Sequence, residues 1–299
     1  MEREILDIIR YFDRFDYPPT VNEIFSFVSR KTSLDLLNKQ LEILCVNKKL
    51  IKSQMMSKFP RFVFHHRHKL FEAQKRKEKI SKNKIKKIDF YLKLLSFFPQ
   101  IKLIGLSGSL AMASAVKTDD IDLFIITAKN RLFTGRIISL LLAQLLGVRR
   151  ERVTSLASLA RRVKNSSRNK VCLNLFFDEK NLKVPIFKMT PYIGHEILQM
   201  KPLIVKGNVY ERFLKANRWV FKIFPNAREN LESRIPSFVK TSKGKQNSKF
   251  IIYNPIGDFL ERLLKSLQLY FINKHKTQEL VTDSQLWFFP DDFEKKILW

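Results

Sequence analysis

A six-residue apolar run, Ile121-Asp122-Leu123-Phe124-Ile125-Ile126, most constrains how this 299-residue chain can fold. Its length and its β-branched and aromatic residues are typical of a buried strand. Because residues i and i+2 of a strand face the same side, Asp120 and Asp122 are expected to point together off one face. Gly108 and Ser109 lie in a small-residue segment ahead of the run. The pattern predicts a bend that leads into a strand bearing two neighbouring carboxylates.

Two carboxylates this close together repel each other unless a cation lies between them. Hard oxygen ligands suit Mg²⁺, which usually takes one or two carboxylates together with the phosphates of a substrate. Asp120 and Asp122 are therefore the predicted metal ligands and catalytic residues, and Mg²⁺, as one or two ions, is the predicted cofactor. The residue types predict a site of metal-dependent phosphoryl or nucleotidyl transfer. A strand end with solvated carboxylates is the alternative.

Residues 1–68 predict three short helices followed by a hairpin, which is the order of elements in a winged helix. In a DNA-binding winged helix the third helix enters a major groove. Lys39, Lys48 and Lys49 lie on or just after that helix and are the candidate nucleic-acid contacts. Winged helices also serve as units that pack against other protein, and this alternative stays open.

The rest of the chain divides into three parts by its hydrophobic pattern. Residues 69–98 predict a long basic amphipathic helix that links the domains and adds positive charge beside the site. Residues 99–190 contain three strand-like apolar runs and form the predicted mixed-sheet core. Residues 191–299 lack strand alternation and predict a helical C-terminal region, with a linker at 236–249. The predicted fold class is therefore α+β.

The chain is strongly basic, with 56 Lys and Arg against 28 Asp and Glu and a formal net charge of +28. Such a charge attracts polyanions, so a nucleic acid or a nucleotide phosphate is an expected partner. A role of the charge in solubility is the alternative. Cys45 and Cys172 lie in apolar runs and are typical of free thiols in a reducing cytoplasm. No apolar stretch has membrane-spanning length, so we expect a cytoplasmic protein with no membrane partner.

The spacing of the motif is specific, because Asp120 and Asp122 follow Gly108 by twelve and fourteen residues. With strand-like runs on both sides, this arrangement resembles the DNA polymerase β superfamily of nucleotidyltransferases. The resemblance is strongest to the small members, which carry Gly-Ser, a variable segment and Asp-hydrophobic-Asp. It covers residues 100–180, about a quarter of the chain.

The layout of the whole chain is also similar to a bacterial group that contains such a domain. In that group a winged-helix-like N-terminus precedes the transferase core and a helical C-terminus follows it. The segments 195–203 and 210–219 carry this second likeness.

The resemblance implies a role for each residue of the motif. Backbone N–H groups at Gly108 and Ser109, together with the Ser109 hydroxyl, would hold the phosphate oxygens of a nucleoside triphosphate. Asp120 and Asp122 would bind Mg²⁺, with one ion carrying the triphosphate and a second activating the attacking hydroxyl. The implied activity is transfer of a nucleoside monophosphate to an unidentified acceptor hydroxyl.

The chain departs from the family pattern at two positions. Fuller members carry a third carboxylate on a later strand, and the run 171–175 places Asn174 there, a neutral oxygen ligand that cannot act as a base. Asn174 is thus the third candidate catalytic residue, and Asp178 is its alternative. Ala113 replaces a common glycine and has less backbone freedom. The alternative function is a non-catalytic nucleic-acid-binding regulator on a degenerate transferase scaffold.

Two histidine patterns resemble metal-binding motifs but lack further ligands. His65, His66 and His68 have no cysteine or carboxylate close by in the sequence. His195 begins half of a zinc-protease helix, but Gln199 stands where the second histidine is needed. Both patterns are more typical of ordinary structural positions.

Overall fold

The computed structural model describes residues 1–53, 59–149, 170–234, 255–275 and 279–288. Helices and a mixed sheet are interleaved along these ranges, so the predicted α+β class is confirmed. The predicted linker at 236–249 lies outside the described residues. None of the described helices combines the length and the apolar character that crossing a membrane requires.

The N-terminal part consists of three helices and an antiparallel hairpin in the predicted order: α1 (Glu2–Asp13), α2 (Val21–Phe27), α3 (Leu34–Val46), β1 (Leu50–Lys52) and β2 (Phe62–Phe64). A capping box begins α2, since the Thr20 hydroxyl accepts the Glu23 N–H and the Glu23 carboxylate accepts the Thr20 N–H. Each helix buries one apolar face in a common core, for example through Ile24 and Leu41.

The basic segment after the hairpin is not one long helix, as predicted for residues 69–98, but two: α4 (Leu70–Lys87) and α5 (Asp89–Phe97). The break lies at Ile88, whose backbone leaves the helical conformation and whose side chain is fully buried. The two helices bury different kinds of surface, because α4 turns polar residues inward and α5 buries Tyr91, Leu92 and Leu95. One straight helix could not direct both faces toward the body of the protein.

The core is a six-stranded mixed sheet in the order β6-β3-β4-β5-β8-β7. Its strands are β3 (Ile101–Leu106), β4 (Ile121–Thr127), β5 (Val171–Asp178), β6 (Lys201–Val205), β7 (Leu280–Val281) and β8 (Gln285–Trp287). The central pair β4 and β5 is parallel, and the other pairs are antiparallel. The three strands predicted at the centre of the chain are confirmed.

The remaining described helices are α6 (Gly108–Ala111), α7 (Leu132–Leu145), α8 (Pro191–Gln199), α9 (Val209–Ala216), α10 (Val220–Ile223), α11 (Ala227–Arg234) and α12 (Pro255–His275). Helices α5 and α7 pack on one face of the sheet, and α12 packs on α7. The other face is covered by α8, α9 and the N-terminal part. Because both faces are covered, β3 and β4 read as nearly continuous apolar runs.

The expectation of a purely helical C-terminal region was wrong, because β6, β7 and β8 all lie beyond residue 190. They contribute half of the sheet and continue it across the predicted boundary of the core. Each is too short, at two to five residues, to show a period-two pattern in the sequence. Their conformation is set by pairing with β3 and β5 rather than by local preference.

His195 joins the N-terminal part to the C-terminal helices. Its imidazole stacks between Tyr11 and Phe27, with ring centroids 4.0 and 3.8 Å away, and meets the edge of Phe224 at 4.8 Å. The ring is buried, and its Nδ1 atom has no hydrogen-bond partner among the described residues. Burial lowers the pKa of His195 to about 3, so the ring is neutral near pH 7.

This burial predicts a loss of stability in mild acid that His195→Phe removes. As pH falls from His195's ordinary pKa toward about 3, the unfolded chain binds a proton that the folded chain excludes, so the free energy of unfolding falls by up to roughly 1.4 kcal/mol per pH unit. Urea unfolding at several pH values measures the slope. His68 is exposed, so His68→Phe is the matched control and should keep the wild-type dependence of stability on pH. An unchanged slope in His195→Phe contradicts the assignment.

Candidate active site

The bend between β3 and β4 favours glycine. Gly108 has φ +61°, and a side chain there would place its Cβ 3.0 Å from Asp122 Oδ2. The left-handed conformation and the close approach both make a larger residue unfavourable at this position. The structure therefore contains the predicted small-residue bend next to a strand carboxylate, with the Gly108 backbone beside the Asp122 side chain.

Ser109 is held by a carboxylate that the motif did not single out. Its Oγ donates to Asp119 Oδ2 at 2.8 Å, and the Val116 N–H donates to the same oxygen at 3.0 Å. Asp119 therefore closes the loop between the bend and β4. Its carboxylate lines the same cavity as Gly108, Ser109 and Asp122.

Asp120 is half-buried one residue before β4, and it is not among the residues that line this cavity, whereas Asp122 is. The expectation that the two carboxylates point together stays a prediction. The carboxylates that reach the cavity next to the bend come from Asp119, Asp122 and Glu196.

Glu196 is the acidic residue that sequence reasoning missed. It lies on α8, and its carboxylate accepts a hydrogen bond from the Gly108 N–H. Burial is the main cause that raises the pKa of Glu196 to about 7; the backbone of Gly108 opposes the increase, and the neighbouring charge of Asp122 adds to it. The one sequence signal was an isolated carboxylate between the buried residues Ile193 and Ile197. The Gly108 N–H thus already faces a carboxyl oxygen.

Asn174 lies on the cavity face of β5, and a bulge in this strand adds Leu175 beside it. Asp122 pairs with Cys172 and Phe124 with Leu175, so Leu173 and Asn174 together oppose a single residue of β4. Both Asn174 and Leu175 lie in the cavity wall.

The alternative third ligand, Asp178, lies elsewhere. It is 2% exposed, and its Oδ1 accepts the Lys180 N–H at 2.7 Å in the turn after β5. Burial raises the pKa of Asp178 to about 6, while backbone hydrogen bonds, including those from Asn130 and Arg131, oppose the increase. This carboxylate holds a turn together and is not one of the residues that line the cavity.

The cavity has a volume of about 550 Å³ and lies between the sheet, α8 and the N-terminal part. Arg14 from the segment after α1, Lys77 from α4 and Lys188 from the turn before α8 contribute positive charge to its wall. The predicted positive flank from the basic helix is therefore present at Lys77, whose Nζ also donates to the Asp16 carbonyl at 2.8 Å. These three cations lie in the same wall as Asp16, Asp119, Asp122 and Glu196, and they suit a ligand that carries phosphate.

Helix α4 holds the loop between the bend and β4 through three inward polar residues. Gln74 Nε2 donates to the Ala113 carbonyl at 3.2 Å, and Ser81 Oγ accepts the Ala115 N–H at 3.1 Å. Lys84 is 1% exposed, and its Nζ donates to the carbonyls of Lys117 and Asp119 at 3.1 and 2.6 Å. This basic helix is therefore not solvated all round.

Ala113 has a backbone conformation that glycine favours. Its φ is +54°, the left-handed conformation that a glycine would adopt without a steric penalty. Its N–H donates to the Leu110 carbonyl at 3.1 Å, and its own carbonyl accepts the Gln74 bond. These bonds keep the turn in the backbone form that glycine favours.

The candidate nucleic-acid contacts lie apart from this cavity. Lys39, Lys48 and Lys49 are exposed, and Lys49 forms an ion pair with Glu2. Helix α3 itself carries Asp35 and Glu42 against the single Lys39, a charge balance that does not favour a DNA groove.

The histidines are not arranged as a metal site. Among the described residues no three His, Cys, Asp or Glu side chains form a group suited to a metal ion. His65 and His66 lie in a short 3-10 helix after β2, and His66 stacks on Phe64 with centroids 6.0 Å apart.

Comparison of the chain with protein-family models, with curated proteins and with solved structures found no match.

The two bonds from Lys84 to the loop carbonyls predict that Lys84→Met weakens the fold. Methionine has a similar length but cannot donate to the two loop carbonyls, so we expect the free energy of unfolding to fall by about 1–3 kcal/mol. Urea denaturation measures this loss. Lys82→Met removes an exposed lysine of the same helix and should change stability by less than about 0.5 kcal/mol. Equal stability of the two variants would show that the buried amine does not hold the loop.

Proposed function

We propose that this protein is a Mg²⁺-dependent nucleotidyltransferase that moves a nucleoside monophosphate from a nucleoside triphosphate to an acceptor hydroxyl. One observation carries the proposal: a single open cavity gathers the Gly108 bend, the carboxylates of Asp122 and Glu196, and the amide of Asn174. The resemblance in the motif gives the reaction class, and the cavity supplies room for a substrate.

The donor set fits Mg²⁺ in the form usual for nucleotide enzymes, with one or two carboxylates and with phosphates as further ligands. Asp122 and the side-chain oxygen of Asn174 would hold the ion, and this pair replaces the predicted pair of Asp120 and Asp122. The absence of a three-residue metal group among the described residues is compatible with this set, because the substrate would provide the remaining oxygens. The ion would neutralise charge on the triphosphate as the bond breaks.

The residues of the bend and the wall would position the triphosphate. The Gly108 N–H already faces a carboxyl oxygen, and a phosphate oxygen can take its place because both accept hydrogen bonds. Arg14, Lys77 and Lys188 would offset the remaining phosphate charge. Displacing Glu196 from Gly108 would leave its carboxylate facing the acceptor.

The transfer itself then needs one proton acceptor. The acceptor oxygen attacks the α-phosphorus, the bond from that phosphorus to the bridging oxygen breaks, and pyrophosphate leaves with the electron pair. Glu196 would take the hydroxyl proton, since its carboxylate lies beside Asp122 and its pKa of about 7 suits a base at neutral pH. Asn174 cannot fill this role because its amide does not accept a proton.

An open cavity supports the enzyme over a non-catalytic nucleic-acid-binding scaffold. In a degenerate site large side chains would be expected to fill the space in front of the carboxylates, whereas here about 550 Å³ is empty. The charge balance of α3 also gives little support to major-groove binding.

Asp122→Asn should lose both Mg²⁺-dependent affinity for ATP and nucleotide transfer. Asparagine keeps the shape but removes the charge that holds the metal, so we expect transfer to fall at least about 100-fold. Calorimetric titration with ATP and Mg²⁺ and labelling of a cell extract by α-labelled ATP measure the two effects. Asp89→Asn, on the exposed side of α5, is the matched control. Labelling by Asp122→Asn at the wild-type level would overturn the proposed function.

Glu196→Gln should separate transfer from nucleotide binding. Glutamine still accepts a hydrogen bond but no longer takes a proton, so we expect transfer to slow by roughly 100- to 10,000-fold while ATP affinity is retained. Single-turnover labelling and ATP titration give the two quantities, and the exposed Glu211→Gln serves as control. If Glu196→Gln loses ATP affinity as fully as Asp122→Asn, Glu196 holds the metal rather than the proton.

A further inference from the structure

The cavity continues from Asp122 into a chamber whose wall is apolar. We call this part the apolar chamber, and its wall consists of Phe124, Leu175, Phe177, Val184, Ile193, Ile197, Met200, Phe213, Leu280 and Trp287. Phe124 follows Asp122 on the same face of β4, so the carboxylate and the chamber are immediate neighbours. A ligand that enters the chamber therefore has one end beside the reacting groups.

The aromatic part of the wall is one continuous set of rings. Phe213 lies 5.2 Å from Phe124, Phe124 lies 5.1 Å from Phe177, and Phe177 lies 5.3 Å from Trp287, measured between ring centroids. The Trp287 Nε1–H donates to Gln285 Oε1 at 3.1 Å inside the protein. That donor is already used, so this side of the chamber presents hydrocarbon to a ligand.

The strand order gives the chamber its length. The wall crosses β4 at Phe124, β5 at Leu175 and β8 at Trp287, and these strands are successive neighbours in the sheet. Two strand spacings correspond to roughly 10 Å. A molecule that lies across the strands from Asp122 to Trp287 therefore has an apolar body of about that length.

A nucleobase is a poor occupant of the apolar chamber. Its edge carries several donors and acceptors, and each one buried without a partner weakens binding roughly tenfold or more. The walls select a ligand with a hydrocarbon body.

We propose that the apolar chamber binds the acceptor of the reaction, a small molecule with one hydroxyl and an apolar body about 10 Å long. The reaction in this inference rests on the proposed function, whereas the binding of an alcohol in the apolar chamber does not. The hydroxyl lies beside Glu196 and attacks the α-phosphorus of the bound triphosphate, and its proton passes to Glu196. Pyrophosphate leaves with the electrons of the broken bond, and the product is a nucleoside monophosphate ester of the alcohol.

A series of straight-chain primary alcohols tests the binding. Each added methylene should strengthen binding about fourfold until the chain fills the apolar chamber, after which affinity should level off. Calorimetry or ligand-observed NMR on the full chain, without nucleotide, measures the affinities.

The last described strand pair offers a matched set of variants. Leu280 and Val281 are neighbours on β7 with similar exposure, but Leu280 lines the chamber while Val281 packs against the opposite face of the sheet. In Leu280→Trp, affinity should therefore level off at a shorter chain length. The longest alcohol that wild-type protein binds should bind about tenfold or more weakly. Val281→Trp adds the same bulk to the other face and should leave the series unchanged. Equal loss in both variants overturns the assignment.

Transfer is read separately by mass spectrometry of alcohol, ATP and Mg²⁺ with wild-type protein. Formation of the nucleoside monophosphate ester supports both the chamber and the reaction. Chain-length-dependent binding without any ester keeps the chamber as an alcohol site and overturns the proposed transfer. Affinity that does not vary with chain length overturns the chamber proposal even if ATP labels another acceptor.

Discussion

The approach of the Gly108 backbone to Asp122 is the constraint on which the rest of the site depends. A side chain at this position would meet Asp122 Oδ2 at 3.0 Å, and the left-handed backbone adds a further penalty for any other residue. With no side chain present, the Gly108 N–H can reach the Glu196 carboxylate on α8. The absence of a side chain at Gly108 therefore leaves room for β4, the bend and α8 to line one cavity.

The bend is held in place from outside the sheet, and this explains the unusual interior of α4. Gln74, Ser81 and Lys84 bond to successive parts of the loop that ends at Asp119. Burying a lysine is unfavourable unless its amine is well paired, and two loop carbonyls pair it here. The same face of the helix carries Lys77 to the cavity. The polar face of α4 therefore positions the loop, because it hydrogen-bonds the loop's backbone N–H and carbonyl groups. An apolar face could not form these bonds.

The elements that the sequence predicted are those whose signal is local. The strands β3, β4 and β5 are apolar runs of six to eight residues, and the bend and the position of Asn174 follow from them. Strands of two or three residues at the sheet edge have no such signal, so β7 and β8 were missed. Glu196 could not be placed from its own segment, because only tertiary packing brings α8 over the bend.

The same alternation that directs Asp122 to the cavity also directs Phe124 there, and this has a chemical consequence. The carboxylates lie against hydrocarbon rather than water, so burial raises the pKa of Glu196 toward neutrality. A surface site with the same carboxylates would leave such a group ionised and well solvated, with less tendency to take a proton at pH 7. The low polarity of the cavity wall and the raised pKa of Glu196 therefore occur at the same place, where α8 lies over β4 and β5.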